Sequence, residues 1–213
     1  MANVTKWSNV SIAMQSAIAS SNTIEGITKA NPGIITITAH GYSDGDYLLL
    51  SVTGMVELDG RVVRVSNGTA NTFEIEGVDT TLFGTFATGT AQKLTLGTTL
   101  ATVTGVSSSG GEYDFIDTTT VHDSIRKQIP GLPSALAYTF ENIWDAADAA
   151  LIAMKAASDT QSQKAFLFTF ANGQKMAFYG YVGASLVPGG SAQDKVTTSA
   201  TISASGSPTY YSS

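Results

Sequence analysis

The chain has 213 residues, of which only 13% are charged, with a net charge of −6 and no cysteine. That length suits one large or two small domains, either able to bury a core. The missing cysteines exclude disulfides, thiolate nucleophiles and Cys-ligated metals, and without a basic run longer than Arg126-Lys127 the chain lacks the footprint of a nucleic-acid binder. Few charges among many Gly, Ser, Thr and Ala residues point to a surface covered by other subunits, since an isolated monomer relies on charge for solubility. The first residues lack the basic start and apolar run of a signal peptide, and no apolar run approaches the ~20 residues that span a bilayer. The expectation is a soluble protein made in a cytoplasm, with no membrane contact.

In chain order, Val10, Ile12 and Met14 alternate with Ser11 and Ala13, which predicts a half-buried strand. Ser20-Ser21-Asn22 breaks the pattern. Short strands follow at 34–39, 47–52, 61–65 and 72–76, punctuated by Asn-Pro-Gly, Asp-Gly-Asp, Asp-Gly and Asn-Gly turns, the texture of a small barrel or sandwich. From Leu94 the first texture returns, with strands at 100–106, 113–117 and 136–143. One helix is predicted from Asp145, as N-cap, to about Ala156, with Ala147, Leu151 and Met154 at helical spacing. Trp144, just before that cap, is read as stapling the helix to a sheet; Trp7, near the N-terminus, is open to docking on a neighbouring subunit. Phe166, Phe168 and Phe170 then alternate toward an Asn172-Gly173 turn, Met176, Phe178 and Val182 return, and a last strand spans 196–203.

The stretch YDFIDTTTVHDSIRKQIPGLPSALAYTFENIWD, residues 113–145, is the most informative. Between its two strand-like ends lie about eighteen residues with neither helical nor strand periodicity, and a loop that long in a compact domain is usually functional. Pro130, Gly131 and Pro133 exclude a helix at its far end. The Ile-Asp-Thr-Thr step, the long polar loop, the Pro-Gly-Leu turn and the alternating strand after it resemble the tail tube protein family of long-tailed (siphovirus-type) bacteriophages. The resemblance covers about residues 95–206 and rests on element order. It implies a mainly β fold, a tail-tube-type β-sandwich or barrel with one flanking α-helix, here formed by residues 1–22 and 94–213, with residues 23–93 an inserted small all-β module. Residues 40–79 resemble a small β-barrel module that recurs in phage structural proteins, which implies a shape and no chemistry.

Residue types that could carry catalysis are few. His122-Asp123-Ser124 has the members of a nucleophile triad, but triad members converge from separate elements, so adjacent ones read as an exposed loop. His40 before Gly41 reads as a turn residue. Asp44-Gly45-Asp46 and Asp59-Gly60 lack the ligand count of a calcium loop and read as turns. The glycine runs at 110–111 and 189–190 lack the Lys and helix of a phosphate loop. No residue is assigned a catalytic, cofactor-binding or metal role, and no enzyme is expected.

What the resemblance implies for function is assembly. The chain would be a virion protein polymerising into stacked homo-hexameric rings, a tube around a tape measure protein. The tube would end on tail terminator and on distal tail or baseplate proteins, and double-stranded DNA would pass through its lumen without specific binding. The long loop would grip neighbouring subunits through Asp117, His122, Ile125, Arg126, Lys127, Ile129, Pro130 and Leu132. The alternative is a tail-tip or fibre-associated β protein that binds a receptor or carbohydrate, for which Tyr42, Tyr47, Tyr210 and Tyr211 would have to be exposed stacking platforms.

Overall fold

The computed structural model describes residues 7–212; the first six residues of the 1–22 segment and Ser213 lie outside the described residues. In chain order the elements are β1 (Ser11–Met14), β2 (Ala17–Ile24), β3 (Gly26–Ile27), β4 (Ile34–Thr36), β5 (Tyr47–Thr53), β6 (Val62–Ser66), β7 (Thr72–Ile75), β8 (Thr88–Thr95) and β9 (Thr98–Thr99). They continue with β10 (Val103–Ser109), β11 (Tyr113–Asp117), β12 (Gln128–Pro133), β13 (Ala137–Ile143), α1 (Ala149–Asp159), β14 (Gln163–Thr169), β15 (Lys175–Ala184), β16 (Thr197–Ala204) and β17 (Thr209–Tyr211). The fold is mainly β, as the alternating patterns require, and all its ladders are antiparallel. Among the described residues no helix is long and apolar enough to cross a membrane.

The first sheet runs β10-β13-β16-β15-β14-β1-β9, with β17 added to β15. Period-2 alternation points Tyr138 and Phe140, Ala200 and Ile202, Phe166 and Phe168, and Met176 and Phe178 to one face. Phe166 sits directly opposite Phe178 and stacks on it with ring centroids 5.5 Å apart; Tyr138 lies 4.6 Å from Phe178. Helix α1 closes this face with Ala150, Leu151, Met154 and Ala157. Each phenylalanine buried here contributes on the order of 1.5–3 kcal/mol.

The helix begins one turn later than the sequence predicts. Asp145 Oδ1 accepts from Ala147 N at 2.8 Å and closes a turn, leaving Asp148 Oδ1 to cap the helix by accepting from Leu151 N at 2.8 Å. Trp144 is half-buried and donates from Nε1 to Leu186 O at 3.0 Å, so it ties the approach to the helix to the β15–β16 connection.

The second sheet runs β2-β8-β5-β6-β7-β4-β3. Its end strands β2 and β3 are separated in the chain only by Glu25, so the sheet rolls until one continuous segment occupies both ends. Leu48, Leu50, Val52, Val63, Val65, Phe73 and Ile75 fill the interior. Strand β2 passes straight through Ser20-Ser21-Asn22, where the sequence pattern breaks, because an edge strand needs only its backbone ladder to β8, with a bulge between Ile18 and Ser21. His40, directly after the turn at Thr38 and Ala39, is buried, its ring 5.1 Å from Tyr42 and 5.2 Å from Phe73, with Nδ1 accepting from Tyr42 N at 3.0 Å. The acidic turn residues hold backbone: Asp44 accepts from Gly68 N, Asp46 from Ser43 N and Asp59 from Val52 N.

A third apolar cluster joins the two sheets. The outer face of β14 and β15, with Ala165, Leu167, Ala177 and Tyr179, meets Tyr47, Leu49, Val62 and Leu94 of the second sheet, and Tyr211 of β17 is buried with them. Alanine at 165 and 177 leaves no side chain to hold the layers apart. The result is a stack of helix, first sheet and second sheet, with the first sheet covered on both faces over β14 and β15.

Candidate assembly arm

Residues 110–135 leave this stack as a projecting ribbon. At its root, Gly110 and Gly111 have φ of +84° and +82°, and a Cβ on Gly110 would lie 2.1 Å from Ala135 O, so the chain turns out of β10 through a backbone shape that glycine adopts freely. Gly111 N donates to Ser134 O at 3.0 Å and Ser134 N to Glu112 O at 2.9 Å, which closes the base. Above it, among the described residues, β11 pairs only with β12, through Tyr113↔Pro133, Phe115↔Pro130, Ile116↔Ile129 and Asp117↔Gln128, with a bulge between Tyr113 and Phe115. The long loop expected from the sequence is therefore corrected to a hairpin. Pro130, Gly131 and Pro133 exclude a helix but not a strand in a two-stranded ribbon, where each chain has a free edge and a missing N–H leaves nothing unpaired.

The ten-residue tip is locally organised. Asp117 Oδ1 accepts from Thr119 N at 2.8 Å, Thr118 N donates to Lys127 O at 2.9 Å, and Asp123 Oδ2 accepts from Thr120 N at 3.0 Å. The Thr119 hydrogen bonds hold the Asp117 carboxyl below its ordinary range, and Lys127 and Thr120 do the same for Asp123. Lys127 Nζ pairs with Asp123, whereas Arg126 forms no ion pair among the described residues.

The structure places the eight residues singled out from the sequence on this one ribbon. Asp117 ends β11; His122, Ile125, Arg126 and Lys127 lie in the tip; Ile129, Pro130 and Leu132 lie on β12. All eight are exposed, Leu132 at 86% and Ile125 at 76%. Four more large apolar side chains share the exposure and were not singled out: Tyr113, Phe115, Ile116 and, at 97%, Val121. The Tyr-Asp-Phe-Ile-Asp run carried the signal, but it reads as half-buried when its partner strand is unknown. Ile116 faces Ile129 across one side of the ribbon, and Phe115 faces Pro130 across the other. Both faces are thus apolar, and neither packs on a core.

The tyrosines that a sugar-stacking surface would need are not exposed together. Tyr42 and Tyr47 are half-buried, Tyr211 is buried beside Arg64, and only Tyr210 among those four stands in solvent. The hydroxyl of Tyr42 is engaged by Asn22 and Ala91.

Two comparisons bear on these observations. The sequence model of the family described as phage tail tube protein, TTP, matches residues 53–213, from the end of β5 through the arm, α1 and β17. No curated protein matches the chain significantly.

Proposed function

Because the chain belongs to the phage tail tube protein family, a structural component of the virion tail, we propose that it polymerises into stacked hexameric rings, with the 110–135 arm as the main grip between subunits. The observation that carries this reading is the arm itself. Seven large apolar side chains, Tyr113, Phe115, Ile116, Val121, Ile125, Ile129 and Leu132, stand more than half exposed on a ribbon with no partner of its own. Exposed apolar surface of that kind marks a protein–protein contact. Burying each such side chain contributes about 1.5–3 kcal/mol, so a few together offset the roughly 4–15 kcal/mol cost of association.

Open sheet edges supply the second element of the mechanism. Among the described residues the outer edges of β10 and β9 are unpaired in the first sheet, and lateral pairing around a ring would satisfy their backbone groups. Residues 23–93 we read as an inserted module projecting outward from the tube wall. The tube would surround a tape measure protein, meet a terminator at one end and distal tail or baseplate proteins at the other, and pass double-stranded DNA without specific contacts, in keeping with the net charge of −6.

Negative-stain electron microscopy of the purified protein tests this. Rings, or tubes with a ring-like axial repeat, are the expected result. Single particles of monomer size at every concentration, salt and pH tried would refute it.

A further inference from the structure

The first sheet has a seam. Its end strands, β9 beside β1 on one side and β10 on the other, leave a groove of about 530 Å³ between them. Trp7, Val10, Leu100, Val103 and Val106 line it, and among the described residues no charged one does. Trp7 forms one wall, its ring 5.8 Å from Phe170 and 6.3 Å from Phe168, yet 58% of it remains exposed. A volume in the ~300–1,000 Å³ range of ligand pockets holds several aliphatic side chains. Beside Gly105, which lines the groove, stands its cross-strand partner Glu141 on β13, with Oε2 3.2 Å from where a Cβ on Gly105 would be; its carboxylate makes no ion pair among the described residues. Along the groove the outer edge of β10 offers backbone N–H and C=O groups that pair with no other described strand.

We propose that this seam is the receptor for the arm of a second copy of the chain, with Ile125 seated beside Trp7 and Arg126 paired with Glu141. The inference rests on the arm-driven assembly proposed above and names the surface that the arm grips. Three features single out the second copy as occupant. The arm is apolar where the groove is apolar. Its Arg126 and the Glu141 beside Gly105 are complementary charges that each lack an ion-pair partner among the described residues. Its outer strand edges and that of β10 are backbone ladders of the same kind, suited to strand addition.

The absence of native cysteine makes the test clean. Chains carrying Ile125→Cys with Thr104→Cys, both exposed positions, are assembled, oxidised and run on a non-reducing gel. The expected result is a ladder of interchain disulfides through the tube, with neither single variant giving a ladder. Tubes without interchain links would overturn the seam as receptor while leaving arm-driven assembly standing. A link confined to single chains would overturn it too, by placing the arm on its own groove. Failure of the wild-type chain to assemble would instead sink the assembly reading and this inference with it. A charge exchange gives an independent check: Arg126→Glu and Glu141→Arg should each slow polymerisation at least tenfold, and the two combined should restore it. An exchange variant as slow as either single one would contradict the pairing.

Discussion

The guanidinium carbon of Arg64 lies 4.6 Å from the centroid of the Tyr211 ring, while its nitrogens bind the Glu76 carboxylate. Arg64 belongs to β6 of the second sheet, and Tyr211 to β17, which is hydrogen-bonded to β15 of the first. The C-terminal strand is therefore a clasp between the sheets. Thr209 strengthens it, accepting from Arg61 Nε at 2.9 Å and donating to Val62 O at 2.8 Å.

Tyr211→Ala should cost about 3–5 kcal/mol, the range for emptying a buried aromatic site. Tyr211→Phe should cost about 1 kcal/mol, since it keeps the ring over Arg64 and gives up a long 3.5 Å hydroxyl contact to Val62 O and the hydroxyl's interaction with Thr209. Urea unfolding of both variants checks this. An alanine variant as stable as the wild type would show that β17 is not a clasp.

Alkaline pH should loosen the fold by a related route. Burial, with a smaller contribution from Tyr210, pushes the Tyr138 phenol up to about 12 from an ordinary value near 10, and burial raises Tyr42, Tyr47, Tyr179 and Tyr211 as well. A raised folded value means that the native state keeps protons which the unfolded chain releases. The resulting stability is fully present below pH ~10 and is lost as pH rises toward about 12. Denaturation midpoints should fall across that window, and Tyr138→Phe should flatten part of the fall. A midpoint independent of pH between 9 and 12 would contradict it.

Strands with one covered face were legible in the sequence because their core positions alternate with period 2, whereas most of β2, and β8, β9 and β17, were not read as strands, and β6, β14 and β15, covered on both faces, bury consecutive residues. Phe166, Phe168 and Phe178, and Leu48 and Leu50, are buried as their alternation predicts. Helix α1 was legible but its start was not, because Asp145 and Asp148 are equally good caps and the choice depends on which one closes a turn first. Strand β12 was hidden by its own prolines, which are tolerated only because the ribbon has no further neighbour. The exposure of Phe115 and Ile116 was equally hidden: an apolar residue in a strand-like run gives no sign of whether a core or only solvent stands opposite.

Substitutions on the arm should separate assembly from folding. Ile129→Asp, or Arg126→Glu with Lys127→Glu, should leave unfolding unchanged within about 0.5 kcal/mol, as expected for exposed sites, while producing monomers that do not polymerise. A two-stranded ribbon without a core is marginal alone, so the amides of β11 and β12 should exchange fast in the monomer and slowly in the assembled state. Slow exchange already in the monomer, or normal assembly by both variants, would remove the contact role.

Excising the second sheet should test whether it is an appendage. Ser16 N donates to Thr95 O at 2.8 Å, so a short link from Ser16 to Leu96 can replace residues 17–95. The first sheet should keep its β circular dichroism but lose stability, because Leu167, Tyr179 and Tyr211 lose their cover. An unfolded product would show that the two sheets fold as one unit.

The central claim, that the arm drives polymerisation, is tested most directly by removing it. Gly110 and Ala135 are already in contact at the root, so a two-residue Gly-Ser link in place of residues 111–134 leaves the sheets undisturbed. Sedimentation and negative-stain micrographs of this chain beside the full-length one should show rings or tubes only for the full-length chain, with the same unfolding midpoint for both. Tubes formed by the armless chain would contradict the account.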